Sequence, residues 1–197
     1  MYMPTTTILR GAMRAVLACA AVTLAPIAAP AHAVSLLPQE VFATGGYTSG
    51  AFVAIYGGGA SWDLKERLPA RDASGLGIRL DAQVAYWLGK GNPTPNQHVW
   101  DFSATPVFRW TFTKPDTPRL FVEGGLGVHL LSATRINNDR IFSTHLQFGE
   151  MLGVGTAFGP RNAYEVRLFV QHVSNAGIKL PNWGLTYPGI TLSYALP

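Results

Sequence analysis

Cysteine is nearly absent from this chain. Cys19 is the single cysteine in 197 residues. It falls in a segment read below as a removable leader, so the mature protein has no thiol for a disulfide, a metal or nucleophilic attack. Charge is also scarce. Asp, Glu, Lys and Arg make up 13% of the sequence, about half of what an ordinary soluble domain carries. Even so, the body of the chain contains no run of 18 apolar residues, which argues against a membrane protein built of helices. Carboxylates run out early, with no Asp or Glu after Glu165. No linker, low-complexity tract or internal repeat appears after residue 33.

The first 33 residues read as a secretory signal. Arg10 and Arg14 supply the basic region, Ala15 to Ile27 the apolar stretch, and Ala31-His32-Ala33 a small-x-small cleavage site. The mature domain is then residues 34–197. Without the leader the chain has 13 basic and 11 acidic side chains, formally +2. Its basic pI therefore gives no reason to expect nucleic acid as a partner.

Alternation dominates what remains. Ile78, Leu80, Ala82, Val84, Tyr86 and Leu88 share one face of a predicted strand, opposite Arg79, Asp81 and Gln83. Trp100, Phe102, Phe108, Trp110 and Phe112 do the same against Asp101, Ser103, Arg109 and Thr111. This period of two is the signature of a strand with chemically different faces. Eight strands are predicted: 39–45, 51–62, 78–88, 100–112, 119–132, 144–158, 164–174 and 187–196. Pro106 lacks the N–H for one ladder bond, which predicts a bulge there. Residues 63–74 read as a long charged connection and 133–140 as a polar loop. Long aromatic-rich faces opposite faces of both charge signs predict an inside-out arrangement. The expected fold is all-β, an eight-stranded antiparallel transmembrane barrel, too narrow for a channel and with ion pairs inside. With both termini in the periplasm, the connection at 63–74 breaks the usual rule of short periplasmic turns.

The chemistry concentrates in Tyr164 to Tyr187, YEVRLFVQHVSNAGIKLPNWGLTY. The apolar face of Tyr164, Val166, Leu168 and Val170 continues into His172 and Ser174. Residues i and i+2 stand on one face, roughly 7 Å apart along the strand. An imidazole and a hydroxyl so placed can lean together as general base and nucleophile. Asn175-Ala176-Gly177 then turns the chain, with backbone N–H groups able to stabilise an oxyanion. The pair faces lipid near the outer end of its strand, so an ester within the outer leaflet is the expected substrate class. No metal or cofactor is implied. His98, His129 and His145 are scattered and read as structural.

HVSNAGIKLPNWG resembles the His-x-Ser-Asn motif of the lipid A 3-O-deacylases of the PagL type, and FSATPVFRW, FVEGGLGVHLLSATR and LQFGEMLGVG resemble preceding strands of that family in order. The resemblance implies an enzyme of the Gram-negative outer membrane that cleaves the 3-linked acyl ester of lipid A. It implies Ser174 as nucleophile, His172 as base, Asn175 at the oxyanion hole and Asn182 as a second family asparagine. The family's acid falls on Thr186, which carries no charge, so the third catalytic residue is left open. Thr186 or Asn182 can orient the imidazole, and Asp139 is a more remote candidate. Glu165 is expected to point into the barrel. Lys90, Arg135, Arg140 and Lys179 are expected in outer loops, where they can meet the phosphates of lipopolysaccharide. The reading allows a homodimer. Its rivals are a non-catalytic barrel (adhesin, anchor or pore) and an outer-membrane phospholipase.

Overall fold

The structure is a computed structural model that describes residues 36–64, 75–90, 98–112 and 118–197. The expected leader at 1–33, most of the connection at 63–74, most of the loop at 89–97 and the turn at 114–116 lie outside these residues. Eight strands close a barrel: β1 (Glu40–Thr48), β2 (Val53–Asp63), β3 (Gly75–Gly89), β4 (His98–Phe112), β5 (Arg119–Leu131), β8 (Leu146–Phe158), β9 (Tyr164–Ser174) and β10 (Leu185–Ala195). Each strand pairs antiparallel with its neighbour in sequence, and β1 pairs with β10 to close the wall. The remaining two strands, β6 (Arg135–Asn137) and β7 (Arg140–Ile141), form a small hairpin of their own.

Alternation sets the two faces. The even positions of β4 and β5 put Trp100, Phe102, Phe108, Trp110, Leu120 and Val122 on the outside, 42–55% exposed. The odd positions put Asp101, Thr111, Phe121, Glu123 and His129 inside. An apolar exterior around a polar interior is stable only where the exterior meets lipid.

The interior is layered. Towards the rim that holds both ends of the described chain, arginines and carboxylates pair: Arg79 with Asp81 at 2.8 Å, Arg109 with Glu123 at 2.8 Å and with Glu165 at 2.7 Å, and Arg167 with Glu123 at 2.5 Å. Glu40 and Arg119 join at 3.7 and 3.5 Å, giving four arginines to four carboxylates. Above them Asp101, His129, Gln171 and Tyr187 form a hydrogen-bonded row. Towards the opposite rim Ile55, Trp87, Val99, Phe142, Val173 and Leu185 fill the lumen with apolar side chains. Trp87 meets Phe142 and Tyr187 edge-on, with ring centroids 5.9 and 6.3 Å apart.

Three sequence expectations change. Residues 133–140, read as a polar loop, carry most of the β6–β7 hairpin, and residues 135–142 cap the lumen because Ile136 and Phe142 are fully buried. Asn137, also buried, donates to the Ala51 carbonyl at 2.7 Å and fixes this cap to the β1–β2 turn. At Pro106 no bulge forms. Thr105 and Pro106 drop out of the β4–β5 ladder, yet the register is the same on both sides, from Ala104↔Val128 to Val107↔Gly125. The missing N–H therefore costs ladder bonds without inserting a residue. Finally, β10 starts at Leu185 rather than Tyr187, because Leu185 and Tyr187 both reach into the core.

Candidate active site

The site forms at the rim opposite the chain ends, on the outside of the wall. Val170 is exposed on the outer face of β9, and His172 and Ser174 continue that face, half-buried. On one side His172 pairs with Thr186 of β10. The imidazole Nδ1 and the Thr186 Oγ1 are 2.7 Å apart, a good hydrogen-bond distance. On the other side Glu150 of β8 is the cross-strand partner of His172, and Phe148 is that of Ser174. Glu165 points inward and binds Arg109, as expected from its place in the alternation.

Gly184 brings the base and the hydroxyl residue together. It is buried at the entry to β10 with φ +58°, a left-handed conformation that glycine adopts without steric cost. A Cβ placed there would stand 2.9 Å from His172 Cε1 and 3.2 Å from Ser174 Cβ. Both side chains thus close around one bare Cα. No hydrogen bond joins His172 to Ser174 in this arrangement. Such bonds are often long in enzymes without substrate and tighten when it binds.

The turn after β9 is held by Asn175, which is fully buried. Its Nδ2 donates to the carbonyls of Phe142 and Lys179, both at 2.7 Å, and its Oδ1 accepts the Gly177 N–H at 2.9 Å. Its backbone N–H donates to Asn182 Oδ1 at 3.1 Å. Asn175 and Gly177 are therefore occupied in building the loop rather than in facing a ligand. Ala176, at φ +55°, keeps an N–H with no acceptor among the described residues. Asn182, anchored through its oxygen, keeps its NH2 group. The loop is tied to the lumen cap by Ser143 Oγ donating to the Pro181 carbonyl at 2.6 Å and by Trp183 N–H donating to the Ile141 carbonyl at 3.2 Å. Ile178, Leu180 and Trp183 project from it, exposed.

Asp139, the other histidines and the loop arginines find their partners away from His172 and Ser174. Asp139 sits in the β6–β7 turn, where its N–H is held by Asn137 Oδ1 at 3.0 Å. His129 is buried in the lumen against Asp101 at 2.9 Å, His145 contacts the Leu131 carbonyl at 2.7 Å, and His98 stacks on Tyr86. Arg135 binds the Asn138 side chain and the Asn137 carbonyl, and Arg140 the Asp139 carbonyl. Among the described residues no cluster of His, Cys, Asp or Glu is arranged to hold a metal ion. Sequence reasoning missed Gly184 and Glu150. Gly184 ends the turn-forming run Pro181-Asn182-Trp183-Gly184, where a glycine needs no further role, and Glu150 becomes a neighbour of His172 only through the β8–β9 register.

The family model for lipid A 3-O-deacylase (PagL) matches residues 54–195. Lipid A deacylase PagL of Bordetella bronchiseptica is 37% identical over 119 residues, 60% of this chain and 62% of that protein's length. The Pseudomonas aeruginosa protein of the same name is 33% identical over 166 residues, 84% of this chain and 90% of its own. A crystal structure of the outer membrane enzyme PagL superposes with a TM-score of 0.68 at 29% identity, covering 80% of this chain and 99% of that one.

Proposed function

Since the chain belongs to the lipid A 3-O-deacylase (PagL) family, and so to the outer membrane, we propose that it hydrolyses the 3-O-linked acyl ester of lipid A, with Ser174 as nucleophile and His172 as general base. The observation that carries this reading is the row on the outer wall. Thr186 holds His172 Nδ1 at 2.7 Å, and Ser174 shares the Gly184 hollow with the same imidazole.

With Nδ1 protonated and donating to Thr186 Oγ1, the lone pair lies on Nε2, the nitrogen that takes the Ser174 proton. Ser174 Oγ then attacks the acyl carbonyl, and the C=O electron pair moves onto oxygen. The Ala176 N–H and the Asn182 NH2 are the available donors for that oxyanion. Collapse breaks the ester C–O bond, His172 returns the proton to the departing sugar oxygen, and the acyl chain stays on Ser174. Water, deprotonated by His172, releases the fatty acid. The apolar residues below the pair, Val170, Leu168 and Leu152, are all exposed and offer a bed for that chain. Lys179, on the loop beside the site, is available to a lipid A phosphate.

Residues 1–33 act in this reading as an export leader, so the exported protein has an intact mass starting at Val34; a mass that includes Met1 contradicts it. The central test uses purified barrel and defined lipids, with products read by mass spectrometry. Wild-type protein is expected to release the 3-linked acyl chain from lipid A and to leave glycerophospholipids intact. Ser174→Ala and His172→Ala are expected to abolish release while keeping heat-modifiable gel mobility. Release by a folded Ser174→Ala protein overturns the mechanism, and preferential cleavage of glycerophospholipid makes the protein a phospholipase.

A further inference from the structure

The reading above leaves the imidazolium that forms on His172 without a negative partner. Thr186 accepts a hydrogen bond but carries no charge. The β8–β9 register puts a carboxylate on the other side of the same ring. Glu150 faces His172 directly, and directly opposed residues have Cβ atoms about 4.5–5.5 Å apart. Thr186, His172 and Glu150 thus form one row across three neighbouring strands.

The setting of Glu150 is unusual for this wall. Asp63 at the end of β2 aside, every other charged side chain of the eight barrel strands, among the described residues, faces the interior. Glu150 is exposed on the outer face instead. Its partner on β5 is Leu126, and Phe148 and Leu152 flank it on its own strand. A charge on the lipid face of a barrel is destabilising, less so towards the rims. Among the described residues no hydrogen bond or ion pair holds this carboxylate, so its side chain is free to turn towards the titratable group opposite it, His172.

We propose that Glu150 is the charge partner of His172, so that the work of a catalytic acid is divided: Thr186 orients the imidazole and Glu150 stabilises its protonated form. The proposal rests on the assignment of His172 as base. Glu150 acts through the imidazole and not on the substrate, so it is a positioning residue. Its contribution is electrostatic, and in a site shielded from water that attraction is much stronger than in bulk solution.

The experiment measures kcat and KM on lipid A for Glu150→Gln, Glu150→Asp, Thr186→Glu and the Glu150→Gln/Thr186→Glu pair. Gln keeps the shape and removes the charge. Expected are a fall in kcat of about tenfold or more in Glu150→Gln with KM little changed, since the imidazolium forms only during reaction, and near wild-type kcat in Glu150→Asp. Thr186→Glu restores the charge from the other side, so it raises kcat far more in the Glu150→Gln background than in the wild type. A residue that merely braces the wall would not be rescued in this way. Glu150→Leu, apolar like its neighbours, serves as a second folded variant and is expected to lose kcat as Gln does. Wild-type kcat in Glu150→Gln, or an equal effect of Thr186→Glu in both backgrounds, overturns the proposal. A dead Ser174→Ala beside an unaffected Glu150→Gln sinks this inference alone, whereas an active Ser174→Ala sinks the assignment beneath it.

Discussion

At the scale of single residues, Gly184 decides how closely the site can assemble. Its φ of +58° costs a side-chain-bearing residue about 1–2 kcal/mol. The larger effect is steric, because a Cβ would lie 2.9 Å from His172 Cε1 and 3.1 Å from the Val173 carbonyl oxygen. The imidazole must move, and a displacement near 1 Å at reacting groups costs about a hundredfold in rate. Gly184→Ala is therefore expected to lose about two orders of magnitude in kcat and only a few degrees in melting temperature. Kinetics and thermal gel shift on the same preparation check both. An unchanged kcat would show that the hollow tolerates a methyl group. The placement of His172 and Ser174 together on the outer face was legible in the sequence, because the two residues end an apolar face just before a turn. The true occupation of Asn175 was not, because its partners Phe142 and Lys179 come from a distant loop and from the far side of its own turn. Glu150 was hidden for a related reason: its pairing depends on the geometry of the turn at 159–163, which contains two non-glycine residues with positive φ, Arg161 and Asn162.

At the scale of elements, the barrel strands could be read directly and the lumen cap could not. Strand faces follow from period two, so Leu120 outside and Phe121 inside needed nothing beyond their order. The β6–β7 hairpin is only a few residues long and has no alternation to betray it. Its anchors, Ile136 and Phe142, are two of only three apolar residues in the polar stretch 134–145. The cap matters to the site because Phe142 and Ile141 lend their carbonyls to Asn175 and Trp183. Asn137 ties the cap down through the Ala51 carbonyl, and removing a buried partner of this kind costs about 1–3 kcal/mol. Asn137→Ala is expected to lower stability by that order and to raise proteolysis of residues 133–145 under native conditions. If cleavage there equals that of wild type, the hairpin is held by its apolar anchors alone.

At the scale of the whole molecule, the lumen is sealed by matched charges at one end and by packed rings at the other. Buried ion pairs are weak evidence of stability in themselves, but breaking one by removing a partner strands a buried charge, at about 3–5 kcal/mol. Glu123 faces Arg79, Arg109 and Arg167, so Glu123→Gln leaves three guanidiniums short of one counter-charge. The expected outcome is a loss of that order in urea unfolding from lipid vesicles, with activity retained in the protein that stays folded. An unchanged midpoint would mean that the remaining carboxylates redistribute at no cost. Both signs of charge on the inward faces were legible from alternation, but which arginine meets which carboxylate depends on register across several strands.

His172 and Ser174 stand on the convex wall, not in a pit reached from water. If they act on lipid A as proposed, their substrate reaches them in the plane of the bilayer, and the encounter is a two-dimensional collision. The quantity that governs turnover is then the mole fraction of substrate among the surrounding lipids. Molarity in the tube does not enter. Adding inert lipid or detergent at fixed enzyme and fixed substrate dilutes the surface and slows the reaction, with no inhibitor bound and no residue altered.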